Sequence, residues 1–155
     1  MANEIETPRF FLDRCLGSVV VPDGLREAGW DVSTMDDVYG VEASQDIADV
    51  DWIREATERG EVLVTKDVRI ARNPVEAQIV YMCAAKVVTI TNSQITSSGI
   101  LDRLLRHEET VFRWSARTPA PFVLGISELR ARRLTLRYPV PRSGRRLVGQ
   151  TVIDG

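Results

Sequence analysis

Carboxylates follow two short apolar segments of this chain, and their placement is the strongest chemical signal in the sequence. Asp13 directly follows the apolar run 10–12, and Asp67 closely follows the run 62–64. Open α/β sheets bind their ligands at the carboxyl ends of the strands. Because hard cations such as Mg²⁺ bind oxygen ligands and retain several waters, two acids at this edge predict a divalent cation site. Such a site points to phosphate chemistry.

A third acid, Asp49, stands at the start of a helix predicted for residues 49–59, just before the strand that precedes Asp67. A helix that crosses between two parallel strands runs antiparallel to them, so it begins at their carboxyl edge. We therefore expect Asp13, Asp49 and Asp67 to converge on one pocket. Clustered carboxylates raise one another's pKa, and a bound cation relieves their repulsion.

Each of these acids also has a structural interpretation. Asp49 can serve as a helix N-cap, and Asp67 can be an ordinary turn residue. Asp46 and Asp51 compete with Asp49 for the pocket, although Asp51 faces about 200° away from Asp49 around a helix. The two adjacent acids at 36–37 can also reach the same edge, but such a pair is more typical of a solvated loop.

The elements that must position these acids follow from hydrophobic periodicity and from Pro and Gly at helix ends. Strands are predicted at 9–12, 31–35, 61–65, 87–91 and 121–126, with an edge strand at 134–140. Helices are predicted at 22–28, 49–59, 74–85 and 97–113, with a loop at 36–48 and a polar turn at 66–73. This alternation predicts a three-layer α/β/α sandwich with a mainly parallel sheet in a single domain. We expect the core to span residues 1–128 and an Arg-rich strand and tail to span 129–155.

Composition excludes several classes of protein. The chain has 155 residues, of which 44% are hydrophobic, enough for one domain with a real core. No apolar run approaches the ~20 residues of a membrane helix, and the acidic N-terminus lacks the basic start of a signal peptide, so we expect a cytoplasmic protein. Cys15 and Cys83 are expected to be small core residues. With His107 as the only histidine, a His-based metal site is not expected.

Charge is divided unevenly along the chain, whose formal net charge is −2. Residues 1–61 hold 15 Asp and Glu against 5 Arg, whereas residues 62–155 hold 15 Lys and Arg against 7 Asp and Glu. The segment 130–146 contains seven Arg and no acid. An enzyme that acts on a polyanion needs both signs, because carboxylates hold the cation and basic side chains hold the phosphates. The alternative is a solvated charged face.

With these acids in order, the sequence resembles a PIN-like domain. The segments that match are Phe11-Leu12-Asp13-Arg14, Asp49-Val50-Asp51-Trp52, Thr65-Lys66-Asp67-Val68-Arg69 and Pro74-Val75-Glu76. Within that superfamily the chain is most similar to the branch of VapC-type toxins of bacterial toxin–antitoxin modules. The resemblance covers about residues 9–95.

This resemblance implies a Mg²⁺- or Mn²⁺-dependent endoribonuclease, with Asp13, Asp49 and Asp67 as catalytic and metal-binding residues. It also implies an RNA substrate and a cognate antitoxin protein, and it allows for a homodimer. Basic residues near the acids are expected to bind RNA phosphates: Lys66, Arg69, Arg72 and Arg14. Alternatively, Arg69 and Arg72 pair with neighbouring carboxylates.

Two other functions stay open. Longer PIN domains carry a further acid, for which Glu76 is a candidate here, although Glu76 is also an ordinary first-turn acid favoured by the helix dipole. Without that acid, the chain can be a non-catalytic RNA-binding or interaction module. A receiver-type phospho-acceptor domain also has acids at strand ends, but it requires a Lys after the fifth strand, and no Lys follows residue 86.

Overall fold

The structure is a computed structural model that describes residues 7–92 and 94–137, within which lie six strands and seven helices. The strands are β1 Arg9–Leu12, β2 Asp31–Thr34, β3 Val62–Thr65, β4 Lys86–Ile90, β5 Phe122–Ile126 and β6 Ala131–Leu134. The helices are α1 Val20–Glu27, α2 Met35–Tyr39, α3 Asp49–Glu58, α4 Arg69–Arg72, α5 Pro74–Cys83, α6 Ser97–Arg106 and α7 Glu108–Arg117. Short 3₁₀ turns lie at Arg14–Leu16 and Ala43–Gln45.

All six strands form one sheet in the order β2-β1-β3-β4-β5-β6. The first five strands of this order are parallel, and only β6 runs antiparallel to its neighbour β5. The order places β1 beside β3, although β2 lies between them in the chain. The mainly parallel sheet predicted from the sequence is therefore confirmed.

The side chains of β1 explain why helices cover both faces of the sheet. Phe10 and Leu12 face one side, where they join a core completed by α1, α6 and α7. Phe11 faces the other side, where it packs on α3 and its ring lies 5.6 Å from that of Trp52. Each fully buried side chain of this size contributes about 1.5–3 kcal/mol, and continuous apolar runs are typical of strands covered on both faces. The three-layer α/β/α arrangement is confirmed.

Two segments predicted to lack regular structure contain short helices. The predicted loop 36–48 overlaps α2, whose first turn is fixed by a capping box between Thr34 and Asp37. The Thr34 hydroxyl accepts a hydrogen bond from the Asp37 N–H, and the Asp37 carboxylate accepts one from the Thr34 N–H. This pattern carries Asp where the usual sequence signature has Glu or Gln. The predicted turn 66–73 contains the single-turn helix α4.

Two further predictions were wrong in their boundaries. The helix predicted for 97–113 is two helices, α6 and α7, which meet at His107 (φ −104°, ψ 19°). The His107 ring bonds to the carbonyl of Ser127 (Nε2···O 3.0 Å), which ties this break to the end of β5. The edge strand predicted for 134–140 lies earlier, as β6, and residues 138–140 are outside the described part of the chain. The proposed boundary at residue 128 stays a prediction.

Within residues 7–92 and 94–137, none of the helices has the length and apolar character needed to cross a membrane.

Candidate active site

The candidate site lies at the carboxyl end of the crevice between β1 and β3. Leu12 of β1 pairs with Val64 of β3, and the next N–H, that of Asp13, donates to the Val64 carbonyl (2.9 Å). The order of the strands in the sheet changes direction here, because β2 lies on one side of β1 and β3 lies on the other. Open α/β sheets bind ligands at such a switch point. The first predicted acid therefore stands where this fold binds ligands.

Thr65, the last residue of β3, connects the first and last predicted acids. Its hydroxyl donates to Asp13 Oδ2 (2.9 Å) and accepts from the Asp67 N–H (3.2 Å). Thr65 is buried, with 1% of its surface exposed. A single enclosed hydroxyl thus fixes the side chain of Asp13 and the backbone at Asp67.

Cys15 completes this group, and the sequence interpretation had not linked it to the site. Its Sγ lies 3.4 Å from Asp13 Oδ2 and 3.3 Å from Thr65 Oγ1. Burial, together with the charge of Asp13, raises the pKa of the Cys15 thiol to about 11. The thiol therefore stays protonated at neutral pH and can donate to the carboxylate. The only local signal for this contact is the two-residue spacing from Asp13.

Asp49 is the first residue of α3, but it does not cap that helix. The N-cap position is Ala48, so the interpretation of Asp49 as an N-cap is wrong. Its Oδ1 instead accepts a hydrogen bond from the indole N–H of Trp52 (3.0 Å). Trp52 is a core residue that is 2% exposed, so it gives Asp49 a rigid donor.

Asp67 forms a two-pronged ion pair with Arg69. Arg69 Nε donates to Oδ1 and Nη2 donates to Oδ2, both at 2.9 Å, and the Arg69 N–H also donates to Oδ1 at 3.0 Å. These bonds lower the pKa of Asp67 and keep it ionised. Arg69 thus pairs with a neighbouring carboxylate, which was the alternative interpretation, and its contact with RNA stays a prediction.

Glu76, in the first turn of α5, reveals how the acids are arranged. Burial raises its pKa, the charges of Asp67, Asp49 and Asp13 raise it further, and Arg69 opposes them. The three predicted acids consequently lie close enough to Glu76 to act on it electrostatically. Among the described residues, however, no three Asp, Glu, Cys or His side chains are grouped tightly enough to enclose a metal ion.

The remaining predicted residues differ in their surroundings. Arg14 donates through Nη2 to the Ser44 carbonyl (2.7 Å). Lys66 is half-buried and Arg72 is exposed at the end of α4. Of the two acids that competed with Asp49, Asp51 lies near Arg54 (3.5 Å) and Asp46 is exposed.

Comparisons with known proteins agree with this arrangement. Residues 8–92, which include β1 to β4 and all three predicted acids, match the family described as PIN like domain. A curated relative, "Putative ribonuclease VapC45" of Mycobacterium tuberculosis (strain ATCC 25618 / H37Rv), is 34% identical over 116 residues. The alignment covers 75% of this chain and 83% of the relative. No solved structure gives a significant match. The chain belongs to the family of PIN-like domains, in its VapC-type branch.

Proposed function

We propose that this protein is a metal-dependent endoribonuclease that holds its cation with Asp13, Asp49 and Asp67, with Glu76 as a fourth acid. The observation that carries the proposal is the electrostatic field at Glu76, where burial and three other carboxylates raise the pKa. Arg69 is the cation that opposes this field, and it is already paired with Asp67. A site with such an excess of negative charge gains from binding a divalent cation.

The donor chemistry fits Mg²⁺ or Mn²⁺, because every candidate ligand is a carboxylate oxygen. When bound, such a cation lowers the pKa of a water molecule and shields the charge that develops on the phosphate. The chain's own contribution is orientation. Thr65 holds one oxygen of Asp13 and Trp52 holds one oxygen of Asp49. The second oxygen of each acid has no hydrogen-bond donor among the described residues, so it is available to a ligand.

An RNA substrate is supported by the curated relative, whose name describes a ribonuclease. Lys66 and Arg72 flank Asp67 in sequence, and Arg14 follows Asp13. We infer that these three basic residues contact the phosphates on either side of the scissile bond.

We also propose that the protein is the toxin of a type II toxin–antitoxin module, acts in the cytoplasm, and is neutralised by a cognate antitoxin. The VapC name of the relative supports this assignment. Exposed apolar side chains on α5, Val75 (68%) and Met82 (71%), are consistent with contact to another protein. Induced expression should arrest bacterial growth, and coexpression of a small protein encoded beside it should restore growth. Growth that is unaffected by expression of an active nuclease would contradict the toxin assignment.

The nuclease proposal is tested with purified protein and structured RNA in Mg²⁺, in Mn²⁺ and in EDTA. Cleavage should occur with either metal and stop in EDTA and in Asp13→Asn. A matched control is Asp31→Asn, because Asp31 is an exposed aspartate at the start of β2, at the opposite edge of the sheet. Cleavage that persists both in EDTA and in Asp13→Asn would exclude the metal mechanism.

A second candidate function is RNA binding without cleavage. It is favoured by the absence, among the described residues, of a tight group of three metal-binding side chains. Tight RNA binding with no cleavage in Mn²⁺ would support it. The receiver alternative is not retained, because the family match excludes it. The strand order alone does not, since receiver domains share the order 2-1-3-4-5.

A further inference from the structure

A cavity of about 180 Å³ adjoins Asp13 at the carboxyl ends of β1 and β2. We propose that this cavity is a subsite for one RNA base next to the scissile phosphate, and that it prefers a base with an exocyclic amino group, cytosine or adenine, over uracil. The inference rests on the proposed ribonuclease function and adds a sequence preference to it. The cavity is separate from the carboxylate group around Glu76 and shares only Asp13 with the predicted metal ligands.

The floor of the cavity is rigid. Leu12 at the end of β1 and Met35 at the start of α2 lie there, and each is 1% exposed, so the floor is part of the packed core. Apolar side chains with a few polar groups beside them are typical of small-ligand pockets.

The polar lining is held rigidly by one buried residue, Ser44. Its hydroxyl donates to Asp36 Oδ1 (2.7 Å), and its carbonyl accepts from Arg14 Nη2 (2.7 Å). Ser44 is 1% exposed, whereas Asp36 and Arg14 both line the cavity. Asp36 and Arg14 are thus held in place before a ligand binds, which lowers the entropic cost of binding.

The charges of Asp36 and Arg14 indicate which RNA base the cavity prefers. Oδ2 of Asp36 has no donor among the described residues, and a carboxylate oxygen accepts from the amino group of cytosine or adenine. Uracil presents a carbonyl oxygen at the equivalent position, so it would face Asp36 with like partial charge. Arg14 directly follows Asp13 and can contact the adjoining phosphate. The side-chain amide of Gln45, also in the lining, can pair with a neighbouring edge atom of the base.

The test is the affinity of the full chain for two fluorescein-labelled RNA hexamers, measured by anisotropy in Ca²⁺. One hexamer is all uridine and the other carries a single central cytidine. The wild-type protein should bind the cytidine-containing hexamer about 10- to 150-fold more tightly, the value of one hydrogen bond to a charged group. Asp36→Asn should lose or reverse this preference, because an amide can donate to the uracil carbonyl. Asp31→Asn, which makes the same charge change away from the cavity, should keep the preference.

A second variant guards against a folding defect in Asp36→Asn. Ser18 is exposed and lines the cavity, so Ser18→Phe should fill the subsite and remove the preference while the melting temperature stays unchanged. A preference that survives in both variants, or that the wild-type protein lacks, overturns the subsite. Cleavage assays separate the two proposals: preference without cleavage contradicts the nuclease, whereas cleavage without preference contradicts only the subsite.

Discussion

The two edges of the parallel sheet treat charge in opposite ways. At the edge where the strands begin, charged groups are paired within the fold: Glu61, 8% exposed, accepts from Arg59 (3.0 Å), and Lys86 donates to the Ser115 carbonyl (2.8 Å). Arg9 at the same edge donates to the Arg59 carbonyl. At the edge where the strands end, the charges of Asp67, Asp49 and Asp13 raise the pKa of Glu76 and one arginine, Arg69, opposes them. Carboxylates that lack enough cationic partners are typical of a ligand site, whereas the charged groups at the other edge each have a hydrogen-bond partner within the fold.

Cavity size alone would have indicated the other edge. A cavity of about 450 Å³ lies where β1, β3 and β4 begin, lined by Arg9, Val62 and Lys86. The cavity beside Asp13 measures only about 180 Å³. Large pockets with convergent polar groups are the usual first hypothesis for an active site. Here Arg9 and Lys86 of the larger pocket are tied to backbone carbonyls of Arg59 and Ser115, whereas the predicted acid Asp13 lines the smaller one.

The largest expected effect separates the two edges directly. Asp49→Asn should reduce RNA cleavage by more than about 100-fold, because an amide is a poor ligand for a hard cation and the indole donor of Trp52 then faces a neutral partner. Its thermal unfolding should resemble that of the wild-type protein, since Asp49 is exposed and caps no helix. The two measurements are single-turnover cleavage in Mn²⁺ and melting followed by circular dichroism. A strongly destabilised but active Asp49→Asn would contradict the assignment.

Glu61→Gln, at the other edge, should lower stability and leave cleavage unchanged, which is the opposite of the result expected for Asp49→Asn. Removing the buried carboxylate leaves Arg59 with a weaker partner, so the free energy of unfolding should fall by about 1–3 kcal/mol. Cleavage by the folded protein should not change. Urea titration measures the loss. A variant as stable as the wild type, or one with impaired cleavage below its unfolding transition, would remove the contrast between the edges.

Glu76→Gln tests whether the acidic edge exchanges stability for function. Neutralising Glu76 removes repulsion from three carboxylates, so the metal-free protein should melt at a higher temperature. If Glu76 is a ligand, cleavage should fall about tenfold. Glu58→Gln, at the exposed far end of α3, makes the same charge change and should do neither. If Glu76→Gln melted at a lower temperature than the wild-type protein in EDTA, the neighbouring carboxylates would not be destabilising Glu76.

Local signals in the sequence were enough to predict the fold and the order of the acids. The runs 10–12 and 62–64 form the buried strands β1 and β3, and Asp13 and Asp67 follow these strands closely in sequence. Asp49 was predicted from the same geometry, since α3 begins at the edge where β3 ends. Helix α2 was missed because it depends on a capping box, and the break at His107 was missed because it depends on a hydrogen bond to the distant Ser127 carbonyl.

The contacts that orient the site could not be predicted, because they join residues distant in sequence. Cys15 and Asp13 reach the Thr65 hydroxyl across 50 and 52 positions, and this requires the pairing of β1 with β3. Ser44 reaches Arg14 across 30 positions. Neither hydrophobic periodicity nor family resemblance carries information on such pairs. The types of residue at the site were therefore predictable, but their partners were not.

Arg69→Gln tests whether Arg69 controls the ionisation of Asp67 at the acidic edge. The bonds from Arg69 lower the pKa of Asp67, so their loss should raise it. If cleavage requires ionised Asp67, the acidic limb of the pH–rate profile should move to higher pH. Arg72→Gln, at the other end of α4, should weaken RNA binding but leave the limb in place. A limb that stays fixed in Arg69→Gln would assign it to a group other than Asp67.

The smallest expected effect concerns the thiol beside Asp13. With a pKa raised to about 11, only roughly one Cys15 thiol in a thousand is ionised at pH 8, so iodoacetamide should label it far more slowly than in the unfolded chain. Burial is the larger cause of this shift and the charge of Asp13 the second, so Asp13→Asn should accelerate labelling only severalfold. Cys83, at the end of α5, serves as the internal control, because its rate should be the same in both proteins. Mass spectrometry of tryptic peptides gives both rates. Labelling of Cys15 that is as fast as in urea, or unchanged in Asp13→Asn, would mean that the thiol does not sense the carboxylate.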